Sequence, residues 1–166
     1  MQPRTADFYV PDIYAKLASL GGGGSASNAG WPVANKAIYV PVIFPYPCTI
    51  YSIMFAAANG TGNYDLGFYD GYTKNRLASS GSTAMTAAGV KTLTFSPSIR
   101  VDAGKLYYGA LALTSTSGQV IRGTTPILIQ ITAGVGEQTS ALPLPSTMAP
   151  VTLSSIYTPW FVFGVR

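Results

Sequence analysis

The chain has 166 residues, a net charge of +4, 48% hydrophobic residues and only 10% charged ones, against about 25% charged in an average soluble domain. That length is one domain able to build a core without staples, and so few charges point to a protein that lives inside a larger assembly. Lys16, Lys36, Lys74, Arg76, Lys91, Arg100, Lys105 and Arg122 form no run, which argues against a nucleic-acid partner.

Residues 1–30 read as an arm with a Gly-rich linker. No apolar leader is visible at residues 1–12. Residues 11–20 fit a short helix with Ile13, Leu17 and Leu20 on one face and Gly21 as its stop. Gly21 to Gly24 then supply a hinge. Phe8, Tyr9, Ile13 and Leu17 are the expected partner-binding contacts of this arm, with strand addition onto a neighbour along residues 7–10.

From Trp31 to the end, short apolar runs alternate with turn signals. The spacing predicts strands near 36–44, 49–58, 63–70, 75–79, 90–96, 105–114, 125–132 and 158–165. Pro41 marks its strand as an edge or a bulge. The uncharged interval between Lys36 and Asp65 is no membrane span, because Pro41, Pro45 and Pro47 would remove backbone donors that lipid cannot replace. In the central strand, Tyr64, Leu66 and Phe68 take one face while Asp65, Gly67 and Tyr69 take the other. Gly67 there signals a bulge or a close approach by another chain. The fold expected is all-β: an antiparallel, jelly-roll-like β-sandwich over residues 31–166, carrying an extended N-terminal arm.

Residues 141–150 break the rhythm with three prolines, and either cross between sheets or lie along a neighbouring protomer. Leu142, Leu144 and Met148, with Tyr157, Trp160 and Phe161 at the aromatic end, are the expected oligomer contacts.

The catalytic inventory is nearly empty. The chain has no histidine, a single glutamate (Glu137) and a single cysteine (Cys48), so Ser–His and Cys–His pairs, intrachain disulfides, multi-cysteine metal sites and His-ligated metals are out of reach. Asn59, Asn63 and Asp65 crowd one turn, a thin set for calcium and a common one for turn capping. Neither an enzyme nor a cofactor is expected. Tyr69, Tyr72, Tyr107, Tyr108, Tyr157 and Trp160 could stack on sugars or fill the core.

Four stretches come in an order that carries a family likeness: Ala37-Ile38-Tyr39-Val40-Pro41-Val42, Gly62-Asn63-Tyr64-Asp65-Leu66-Gly67-Phe68-Tyr69-Asp70, Leu77-Ala78-Ser79-Ser80-Gly81-Ser82, and Asp102-Ala103-Gly104-Lys105-Leu106-Tyr107-Tyr108-Gly109-Ala110-Leu111. Over residues 36–114 the chain resembles the β-sandwich domains of tailed-bacteriophage virion proteins, both capsid decoration (cement) proteins and head or tail fibres. The resemblance implies a structural protein of the virion surface, made in the host cytoplasm. Its partners would be itself, as a homotrimer, and the major capsid protein or another virion protein. The alternative it implies is a fibre or tail-tip module that recognises host-surface glycans.

Overall fold

A computed structural model describes residues 7–11, 27–123, 134–152 and 157–166. In chain order its strands are β1 (Asp7–Tyr9), β2 (Ser27–Gly30), β3 (Ala37–Ile43), β4 (Cys48–Ala57), β5 (Asn63–Asp70), β6 (Arg76–Ser79), β7 (Thr83–Ala84), β8 (Gly89–Val101), β9 (Leu106–Leu113), β10 (Gln119–Gly123), β11 (Gly136–Gln138), β12 (Val151–Thr152), β13 (Thr158–Pro159) and β14 (Val162–Val165). The described residues contain no helix. They form two seven-stranded sheets. The first runs β1-β14-β4-β10-β13, with β2 on β10 and β8 on β4; the second runs β12-β11-β3-β9-β5-β6, with β7 on β5. Every pairing is antiparallel, and the sheets face each other as a β-sandwich.

Alternation explains the core. Tyr64, Leu66 and Phe68 turn inward from β5 to meet Ile53 and Phe55 of β4 and Phe163 of β14. Phe68 lies at the centre, its ring 5.4 Å from that of Tyr107, 5.9 Å from Phe95 and 5.6 Å from Phe163. Gly109 of β9 makes room for this layer, since a Cβ there would sit 2.7 Å from the Phe161 ring. β3 is flanked by β9 along its length but by β11 only at Ala37–Tyr39. Pro41 therefore lies past the end of the β11 ladder, where its missing N–H breaks no described bond.

The other face of β5 builds a second, smaller core. Ala37, Tyr39, Tyr69, Ala110 and Ala112 form a shallow trough on the outside of the second sheet, and Ala141, Leu144 and Met148 fill it. The Pro-rich segment thus closes over its own chain as a strap between β11 and β12, which pair with each other. The close approach signalled by Gly67 comes from within the chain: a Cβ at Gly67 would lie 2.6 Å from Leu144 Cδ1. A register shift also falls between Phe68 and Tyr69 against β6.

Two expectations change here. Leu144, Met148, Tyr157 and Phe161, expected as oligomer contacts, are buried inside this chain, in its own cores. Small side chains in the trough let the strap bury its apolar residues in cis, and Tyr157 and Phe161 seal the core between the sheets. Only Leu142 and Trp160 of that set keep partial exposure. The arm differs as well: Asp7–Tyr9 adds to this chain's own β14, where Tyr9 packs on Phe44 at 4.8 Å and its hydroxyl donates to Ile43 O at 2.7 Å. Ser27–Gly30, the end of the expected linker, pairs with β10. Ile13, Leu17, the Gly21–Gly24 hinge and the strand expected at 125–132 lie outside the described residues.

Candidate docking surface

The outer faces of the two sheets are unlike. The strap covers the second sheet and is tied down by polar bonds. Asp65, with no exposed surface, accepts from the Leu144 N–H at 2.8 Å, from Ser79 Oγ at 2.7 Å and from Ser80 Oγ at 3.3 Å. The Tyr69 hydroxyl donates to Pro145 O at 2.6 Å, and the Arg76 guanidinium donates to Leu144 O. The backbone joins Arg76 N to Ser146 O and Met148 N to Lys74 O.

Among the described residues no segment of this kind covers the outer face of the first sheet. Ile53 and Phe55 point into the core, so Met54 and Ala56 between them point out. Register places Val162 opposite Met54 and Val90 opposite Ala56. With Phe8, Ile121 and Trp160 they line an apolar groove of about 300 Å³ that has no charged side chain in its wall. Phe8 and Val90 are each about two-thirds exposed, at 65% and 66%.

The acidic side chains act as ties. Glu137 pairs with Lys36 at 2.9 Å in a buried contact between β11 and the start of β3. Asp70 takes Lys105 at 2.9 Å and accepts from the N–H groups of Tyr72 and Thr73, closing the turn after β5. Asn59 bridges loops through Ser117 O and Gln119 N, and Asn63 donates to Ser82 Oγ. Among the described residues no three acidic or sulfur ligands gather at one point. Burial raises the Tyr39 and Tyr69 phenols, and pushes Tyr157 up to about 12 against the lowering effect of the Arg122 guanidinium. These phenols donate hydrogen bonds, Tyr39 to Gln138 Oε1, Tyr69 to Pro145 O and Tyr157 to Ala29 O.

Asp70 yields a pH prediction. Burial alone would raise its carboxyl, but the hydrogen bond from Lys105 and the two backbone donors outweigh it and bring the pKa down to about 2. A depressed carboxylate adds stability above its unfolded pKa, and loses that contribution as pH falls through the folded one. The thermal midpoint should therefore drop between about pH 4 and pH 2, and Asp70→Asn should remove much of that slope. An unchanged slope in the variant would assign acid sensitivity elsewhere.

Of the residues singled out from sequence, Phe8 and Trp160 line the groove. Tyr69, Tyr107 and Tyr157 are buried, while Tyr108 is half-buried under the Lys74 ammonium at 5.2 Å. Met54, Val90, Ile121 and Val162 were missed. Their signal was present in β4, where Ile53-Met54-Phe55-Ala56 is apolar on both faces, as strands covered on both sides are. Neither a protein-family model nor a curated protein matches this sequence.

Proposed function

We propose that this chain is a non-enzymatic structural protein of a bacteriophage virion, a capsid decoration (cement) protein that grips the shell through the apolar outer face of its first sheet. The observation that supports this reading is the asymmetry of the sandwich. One outer face is closed by the chain's own strap, while the other presents an uncharged apolar groove on a rigid ladder. A preformed face has little ordering entropy to lose on docking, and full burial of a side chain such as Phe8 or Val90 contributes roughly 1.5–3 kcal/mol. The virion resemblance supplies the partner, the major capsid protein, and a homotrimer as the bound assembly.

Copy number in purified particles tests the role: hundreds of copies per particle fit decoration, a few dozen or fewer do not. Met54→Asp combined with Val162→Asp should weaken attachment to the shell by at least roughly tenfold while leaving the unfolding midpoint near its original value. Undiminished attachment would remove the groove from the interface. The fibre reading has its own support at one end of the sandwich, where Tyr72 is 87% and Tyr46 58% exposed. The bonds Gly104 N to Phe44 O and Gly71 N to Leu106 O bring their loops to that end. Glycan-array binding abolished by Tyr72→Ala, with low copy number, would favour that role.

A further inference from the structure

We propose that the first half of β8 is a strand-addition site for an extended, acidic segment of a partner protein. This rests on the docking role given to the same sheet. Among the described residues β8 pairs only with β4, and no backbone group of Val90–Thr94 bonds to any other element. Alternate N–H and C=O groups of this run therefore point away from the sheet, in the arrangement that accepts another strand.

The two halves of β8 are not equivalent. Ile50 faces Ile99 and Ser52 faces Thr94, so Phe95–Ser98 bulges out of register. Pro97 in that bulge has no N–H to offer. A bulge, a proline and an inward-pointing charge are common means of blunting an edge. Val90–Thr94 lacks the first two and keeps only Lys91, which lies opposite core-facing Phe55 and guards the edge until an acidic strand neutralises it, while Val90 is 66% exposed and forms part of the groove wall. A strand added there would continue the sheet beside the groove, and its outward side chains would enlarge the apolar contact.

Charge selects the occupant. β8 carries Lys91 and Arg100 and no acidic residue, and neither cation makes an ion pair among the described residues. The edge of a second copy would bring Lys91 no counter-charge. A strand bearing Glu or Asp at alternate positions supplies one, because opposite charges on paired strands attract and like charges repel.

The test is hydrogen–deuterium exchange of the full chain at low salt with a synthetic probe, the peptide Glu-Val-Glu-Val-Thr-Val-Glu, compared with its Lys-for-Glu counterpart. The acidic probe should slow exchange within Val90–Thr94 by about tenfold or more and the basic one should not. Lys91→Glu should reverse that preference. No slowing in Val90–Thr94, slowing confined to other segments, or an unreversed preference in the variant would overturn the proposal. Slowing without probe that grows with protein concentration would assign the edge to a second copy and overturn it as well. A chain that takes the acidic probe at β8 yet never decorates particles would support strand addition while defeating the capsid reading.

Discussion

Replacing Phe68 by Ala should lower the unfolding free energy by about 3–5 kcal/mol. Phe68 has no exposed surface and sits where the two sheets meet. Truncation removes ring contacts with Tyr107 from the neighbouring strand β9 and with Phe95 and Phe163 across the sandwich. Tyr107 and Phe163 are held by the ladders of β9 and β14, so the site has little freedom to collapse. The residual cavity therefore adds to the lost transfer energy. Phe68→Leu keeps most of the volume and should cost less than half as much. Urea denaturation followed by Trp fluorescence gives both values. A loss under about 1 kcal/mol for the alanine variant would show that this aromatic layer is not the centre of the core.

The second large effect is expected at Asp65. Asp65→Ala removes the acceptor shared by Ser79, Ser80 and the Leu144 N–H. The serine hydroxyls can turn to other partners, but the Leu144 amide is fixed in a buried strap. An orphaned buried donor costs about 1–3 kcal/mol, and hydrogen bonds to a charged group are each stronger than neutral ones. A total of roughly 2–4 kcal/mol follows. The loss should be local first, with the strap lifting and exposing the trough of Ala37, Ala110 and Ala112. Amide exchange should accelerate across Ala141–Met148 while β4 and β9 stay protected. If the strap remains protected in Asp65→Ala, then Tyr69, Arg76 and apolar packing hold it unaided. An uncovered trough is a second sticky face, so this variant should also self-associate.

Much of the sandwich was legible before any coordinates because alternation is a local property. Tyr64-Asp65-Leu66-Gly67-Phe68-Tyr69 states which side chains leave which side of the strand, and the structure keeps that assignment. Turn chemistry is equally local, as Asp70 closing on Tyr72 and Thr73 shows. β7, β11 and β12 escaped notice because strands of two or three residues have no period to detect, and β10 escaped too, its five residues holding only Val120 and Ile121 as apolar side chains.

What alternation cannot state is what covers each face. Asp65 and the amide it holds are 79 residues apart, and nothing near Asp65 in the sequence shows that Leu144 will come to rest on Gly67. The same composition of Leu, Met and Pro suits a strap over its own sheet or one over a neighbour. The choice was made by the trough of alanines assembled from β3 and β9, deep enough to take Leu144 and Met148 within one chain. For Met54 and Val162 no segment of comparable reach lies over their face among the described residues. Sequence thus determined the layers and their inward residues through short-range periodicity. Only tertiary packing, which joins distant segments by shape and by single buried hydrogen bonds, decided that the outer face of the second sheet is covered by the chain's own strap.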